Sequence, residues 1–291
     1  MKAPGIMPDA HLFTHDAMNT TFSLRIRGVD EAVASGMARA CCDRLDLLES
    51  HLSRFIEGSD VARINSLHAG ETLYLSEPCH QCLLLAVNAG TSTGGLFDIT
   101  LGTRIAHRKS GDGGPVPPLA GSLTIHPDVP AITCETPGRE IDLGGIAKGF
   151  ALDQLKQLLT EWGVHDALLA AGASSLLAFG PSAWPVDLTG DREAPRVWLT
   201  NQALSASGTG IQGNHIIHPA GPDAMPARPF RRVWVITTTA ALAEIWSTAL
   251  MLVPPEEIAV WIAGNTDIAG IYAEHDGHVR PIPSPPTLVT A

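Results

Sequence analysis

The sequence predicts an α+β fold. Strand-like and helix-like segments follow one another in mixed order, without the strict alternation of a doubly wound sheet. Five short strand-like runs bunch together between residues 166 and 206. The clean apolar runs, such as Leu83–Val87 and Ala167–Ala171, are short. They fall far below the roughly 20 residues of a membrane-spanning helix, so they read as core elements.

Thr20–Arg27 alternates polar and apolar residues and reads as a strand. Glu31–Leu52 carries apolar residues at helical spacing, and a loop over Ser53–Ser59 leads to a short helical turn at Asp60–Asn65. Ser76–Thr93 is a second long helix, stopped by Gly94-Gly95. Ser110–Pro118 is rich in Gly and Pro and reads as a loop. Leu123–His126, Ala131–Cys134 and Glu140–Leu143 are short strands, and Gly145–Trp162 is a helix. Asp166–Ala171, Ser175–Phe179, Trp184–Leu188, Arg196–Thr200 and Ala203–Ala206 predict a meander. Val233–Thr237 is a strand, Thr239–Leu252 a helix, Pro255–Ile262 a short helix and Asp267–Ala273 a last strand. The segmentation is an extension over residues 1–17, one body over 18–280 and a Pro-rich tail over 281–291.

With 291 residues, 45% of them hydrophobic, the chain is long enough to bury a sizeable core. Its formal net charge of −11 argues against a nucleic-acid partner. Any anionic ligand must be held by local devices: a metal, a lysine or backbone amides. Neither a signal peptide nor a lipid-attachment cysteine marks the first residues, which predicts a cytoplasmic location, or a periplasmic one if the chain is a trimmed piece. The five cysteines are odd in number and read as free thiols. Cys79-His80-Gln81-Cys82 has redox or zinc spacing but lacks a second pair and a preceding strand. Gly208-Thr209-Gly210-Ile211-Gln212-Gly213 has dinucleotide-binding spacing but is followed by Ile216-Ile217 and Pro219, where that motif needs a helix.

Ile141-Asp142-Leu143-Gly144-Gly145-Ile146-Ala147-Lys148-Gly149-Phe150 is the strongest local signal. An aspartate ends a strand, two glycines turn, and a helix begins with amides that favour phosphate. Lys148 lies in the first turn, where a cation is electrostatically unwelcome unless it reaches an anion. Glu244 and Thr248 lie four apart, hence on one face of an otherwise apolar helix. They suit either a hard cation such as Mg²⁺ or, for Glu244, an ion pair with Arg231 or Arg232. His215 and His218 sit three apart on an extended segment, which places them on opposite sides and argues against a shared zinc.

These segments, in this order, resemble the FAD:protein FMN transferases, the ApbE family. Met18-Asn19-Thr20-Thr21-Phe22-Ser23 is similar to that family's opening Met-Gly-Thr strand. Leu52-Ser53-Arg54-Phe55 with Ser59-Asp60 and Asn65, then Gly95-Leu96-Phe97-Asp98-Ile99-Thr100, resemble its next two motifs. Asp142–Gly149 is nearly its central motif, and Ser205–Gly208 and His215-Ile216-Ile217 are similar to its last elements.

The resemblance implies a mixed α/β body of two lobes with the flavin in a cleft between them. It implies that Met18, Phe55, Leu96, Phe97, Asp98, Asp142 and Lys148 line the FAD site, with Ile216 or Ile217 nearby. It places Mg²⁺ on the backbone oxygen of Gly145 with Glu244 and Thr248. The implied reaction is attack by a Ser or Thr hydroxyl of an acceptor flavoprotein on the FMN-side phosphorus, with AMP leaving and either His215 or Asp98 accepting the proton. An FAD-binding protein without transfer and an FAD pyrophosphatase are the alternatives.

The departures from the family pattern cluster at the pyrophosphate end. Asn19 replaces a glycine, and Ala171-Gly172-Ala173-Ser174-Ser175 stands where a glycine-rich turn carries Asn or Asp. His218 replaces an Asp before proline, Glu244 replaces a metal-binding Asp, and Thr209–Gly213 is shorter and lacks the usual tyrosine.

Overall fold

A computed structural model of the chain describes residues 10–111, 114–190, 192, 194–208, 216–226 and 230–283. The first elements are β1 (His11–Ala17), β2 (Thr20–Ile26), α1 (Glu31–Leu52), α2 (Asp60–Ile64) and β3 (Thr72–Tyr74). They are followed by α3 (Glu77–Ser92), α4 (Gly102–Ser110), β4 (Ser122–His126), β5 (Ala131–Thr136) and α5 (Ala147–Glu161). Next come β6 (Ala167–Ala171), β7 (Ser175–Phe179), β8 (Trp184–Asp187), β9 (Arg196–Leu199) and β10 (Gln202–Gly208). The last are β11 (Arg232–Thr237), α6 (Ala240–Leu250), α7 (Ile258–Trp261), β12 (Ile268–His275) and β13 (His278–Pro281).

The main sheet has eight strands in the order β1-β2-β6-β7-β10-β11-β12-β13, every neighbour antiparallel. Period-two alternation gives it two apolar faces. Leu169, Leu177 and Ala203 join the core formed with helices α1, α5 and α6, while Leu168, Ala178, Leu204 and Trp234 join a second cluster with Trp184, Val197 and Leu199 of β8 and β9. A three-stranded sheet, β3-β5-β4, packs with α3 beside this body.

Several segments depart from the sequence expectation. Residues 11–17, expected in an extension outside the body, form the edge strand β1 paired along its length with β2. Glu140–Leu143 is not a ladder strand, since only Glu140 makes an isolated bridge, to Leu101. The expected meander breaks: β8 and β9 leave the main sheet as a two-stranded ribbon, and β10 pairs back onto β7. Helix α5 starts at Ala147, because Gly144–Ile146 form a turn. Strand β13 follows the one expected to be last. Among the described residues, no helix is long and apolar enough to cross a membrane.

The sheet register brings distant turns to one end. Phe22 pairs with Ala171, so the β1–β2 and β6–β7 turns lie together, and Ser175 pairs with Ser205, so the last part of β10 joins them. Helix α6 is laid over β10 and β11 with its first turn fully satisfied. Asp153 of α5 accepts from Ala240 N at 2.8 Å and Ala241 N at 2.9 Å, and the Thr239 hydroxyl accepts from Leu242 N. Gly149 of α5 packs against the carbonyl of Ala240, where a Cβ would not fit. These contacts fix α6 against α5, and with it the relation of Glu244 to Lys148.

Candidate functional site

A cleft of about 980 Å³ opens at this end of the sheet. Met18, Phe55, Leu96, Phe97 and Asp98 line it, as do Asp142, Gly145 and Lys148. So do Ile216, Ile217, Glu244 and Thr248, so every candidate site residue within the described part of the chain meets in this one cavity. His215 lies outside the described residues, as does the shortened Thr209–Gly213 segment.

Part of the cleft lining is apolar and built from turns. Met18 and Asn19 form a two-residue hairpin loop with φ of 51° and 57°. Both positions of a type I′ turn need positive φ, and Asn tolerates this well, which accounts for Asn19 in place of glycine. Met18 is held there by its backbone N–H, which donates to Glu49 Oε1 at 2.9 Å. Phe55 follows the end of α1 and is 82% exposed, an unusual setting for a large aromatic side chain. Phe97 is buried, its N–H donating to Thr93 Oγ1 at 3.1 Å, and its ring lies against Gly145, where a Cβ would come within 3.1 Å.

Two aspartates shape the walls. Asp98 Oδ1 accepts from the N–H and the hydroxyl of Thr100 at 2.7 and 2.6 Å, and Oδ2 lies 3.3 Å from Arg139. Asp142 Oδ1 accepts from Gly144 N at 2.8 Å and Oδ2 from Arg54 at 3.3 Å, while the same guanidinium pairs with Glu140. The Asp142 carboxylate thus holds the Gly144-Gly145 turn in shape.

Another part of the lining is polar and built on regular elements, buried at Glu244, Ser175 and Ser205 and half-buried at Lys148, Ser207 and Thr248. Glu244 is only 4% exposed, and its Oε1 lies 3.1 Å from Lys148 Nζ and 2.5 Å from the Ser175 hydroxyl, which donates to it. Lys148 therefore reaches an anion, and the partner of Glu244 is this lysine, where an arginine of the 231–232 pair was the expected alternative. Thr248 sits one turn after Glu244 beside Gly145, its Oγ1 3.9 Å from where a Gly145 Cβ would lie. Ser207 Oγ is 3.2 Å from Thr248 Oγ1 and 2.9 Å from Ser247 Oγ. Ser205 and Ser207, two apart on β10, point at α6 together.

This serine bed was missing from the expected site. Its signal was a third polar residue, Ser247, on an apolar helix, facing the Ser205/Ser207 alternation on a strand. The remaining oxygen, Glu244 Oε2, is buried without a hydrogen-bond partner among the described residues. A buried carboxylate oxygen left so is costly and calls for a ligand. Together with the Thr248 hydroxyl and the Gly145 backbone, it makes a set of hard oxygen donors that fits Mg²⁺. Among the described residues no three His, Cys, Asp or Glu side chains converge on a metal position.

His218, where the family pattern has Asp, accepts from Ala220 N at its Nδ1, 3.1 Å away. Burial lowers its pKa, which keeps the imidazole a neutral acceptor. The replacement thus preserves an acceptor for that turn. Cys79 and Cys82 are buried free thiols pushed well above the usual range by burial, and His80 between them donates to the carbonyl of His126 at 2.7 Å.

Comparison with known proteins points in one direction. The ApbE family profile matches residues 18–272. A protein named FAD:protein FMN transferase from Klebsiella pneumoniae (strain 342) is 26% identical over 293 residues, covering 91% of this chain and 90% of its own length. Another of the same name, from Escherichia coli (strain K12), is 23% identical and covers 82% and 77%. The solved flavin transferase ApbE from Vibrio cholerae superposes with a TM-score of 0.78 at 18% identity, covering 96% of this chain and 98% of its own. The apo flavinyl transferase ApbE from Pseudomonas stutzeri gives 0.77 at 24% identity, covering 94% of both chains.

Proposed function

The chain belongs to the ApbE family, and on that premise we propose that it is a Mg²⁺-dependent FAD:protein FMN transferase. It moves FMN from FAD to a Ser or Thr hydroxyl of an acceptor flavoprotein. The acceptor oxygen bonds to the FMN-side phosphorus, the bond to the AMP phosphate oxygen breaks, and AMP leaves.

The observation that carries this reading is one cleft whose lining combines apolar, turn-borne side chains with a buried cluster of oxygen donors and a lysine. An apolar part with an exposed phenylalanine suits a flat isoalloxazine ring, which stacks on aromatic faces. The oxygen-rich part with Lys148 suits a pyrophosphate in a protein that otherwise carries excess negative charge. The backbone of Gly145, Glu244 and Thr248 would hold Mg²⁺, which neutralises charge on the phosphate oxygens. Lys148 supplies a second cation on the same side.

Asp98 already accepts from Thr100 and Arg139. That supports a shaping role for Asp98 and leaves His215 as the proton acceptor of this reading. Incubation with FAD, Mg²⁺ and a threonine-bearing acceptor flavoprotein tests it. Covalent FMN on the acceptor, resistant to denaturation, together with equimolar AMP, is expected. Free FMN would make the protein a pyrophosphatase, and intact bound FAD a binding protein.

A further inference from the structure

We propose that Ser175 is a positioning residue for the Glu244 carboxylate: with Lys148 it occupies Oε1, so that Oε2 is the oxygen offered to a divalent cation. The inference rests on the reading that Glu244 holds Mg²⁺.

A glutamate side chain has enough rotatable bonds to present either oxygen in several directions. Here the choice is made by its neighbours. Ser175 is fully buried at the start of β7, and its hydroxyl donates to Oε1 at 2.5 Å. Lys148 Nζ lies 3.1 Å from that same oxygen. Both contacts fall on one oxygen, and the second is buried with no hydrogen-bond partner among the described residues. A carboxylate serving only as the counter-ion of Lys148 would gain by spreading these bonds over both oxygens. The concentration of donors on one side fits a carboxylate whose other side is reserved.

Two of this chain's departures from the family pattern also meet at this contact. Ser175 closes the segment where a turn with Asn or Asp is usual, and Glu244 stands where Asp is usual. The longer acid reaches β7, where the Ser175 hydroxyl donates to it. Ser175 is in turn located by its cross-strand partner Ser205, whose Oγ is 3.5 Å away.

The test is Mn²⁺ titration, read by the electron paramagnetic resonance of the free ion, on the full chain saturated with FAD. Thermal midpoints are recorded alongside. The parent should bind Mn²⁺ and Glu244→Gln should not. Ser175→Ala, which removes one charge-assisted hydrogen bond, should weaken Mn²⁺ binding about tenfold while still folding. Glu244→Asp approaches the same contact from the other side, without touching β7, and should weaken it about as much. Combining the two should add little, because each removes the same bond. Ser175→Ala binding Mn²⁺ within twofold of the parent, or fully additive losses, would overturn the proposal. Parent and Glu244→Gln binding Mn²⁺ alike would instead overturn the metal assignment itself.

Discussion

The two parts of the cleft lining are made in opposite ways. The apolar side chains sit on turns, and the most prominent of them, Phe55, faces solvent. The polar ones sit on α5, α6, β7 and β10, buried or half-buried and bonded to one another. An aromatic platform tolerates looseness, since a flat ring can slide on it and lose little. Charge held in a dry site tolerates none, because a misplaced charge there has no water to turn to. The molecule spends its rigid elements where position matters most.

The largest test of this contrast is Glu244→Gln. It removes the negative charge beside Lys148 and leaves that cation, 21% exposed, without its counter-ion. Because it also removes the anionic ligand of the proposed metal, a loss of at least about 3 kcal/mol, 100-fold or more in transfer rate, is expected in steady-state assays with FAD affinity falling less. Equal losses in affinity and rate would mean that the two parts of the lining are not separable. Lys148→Ala should come next, weakening FAD binding by about ten- to 100-fold as one charge-assisted contact is lost, measurable by calorimetry.

A smaller effect should come from Asp153→Ala, which leaves the Ala240 and Ala241 amides uncapped. About 1–2 kcal/mol of stability should be lost in urea denaturation. Burial pushes the Asp153 carboxyl up to about 6 from the usual 3.8. A raised folded-state value favours the protonated form. The contribution of this group is therefore fullest below pH 3.8 and declines as pH rises through 6. Asp153→Asn, which cannot ionise, should flatten that stretch of the stability–pH curve. The smallest effect is expected of Phe55→Ala. Its stability should match the parent within about 0.5 kcal/mol, while FAD affinity falls by about 1 kcal/mol.

Much of this was legible in the chain. The long helices announced themselves by apolar periodicity, and Glu244 with Thr248 stood out against the alanines and leucines of α6. What stayed hidden lacked that contrast. Strand β1 exposes Leu12 and turns His11 and His15 inward beside Phe13 and Ala17, so its hydropathy alternation is blurred. Helix α4 buries only Gly102 and shows no apolar stripe. The β8–β9 ribbon looked like a continuation of its neighbours because local alternation is blind to which sheet a strand joins. Ser175 and Ser205 were hidden for a related reason. Serines are common, and these two become a site only through a cross-strand register that no local pattern encodes.

The bond between Ser175 and Glu244 joins residues 69 positions apart, and the cap from Asp153 to α6 spans 87. Contacts of such reach form late, because a long loop must close before they are rewarded. A nascent chain emerging from the ribosome carries Lys148 and the glycine turn well before α6 exists. Until α6 docks, the lysine has no buried acid beside it and the oxygen cluster is incomplete. The oxygen cluster around Glu244 and Lys148 is therefore assembled only by a chain made and folded through α6.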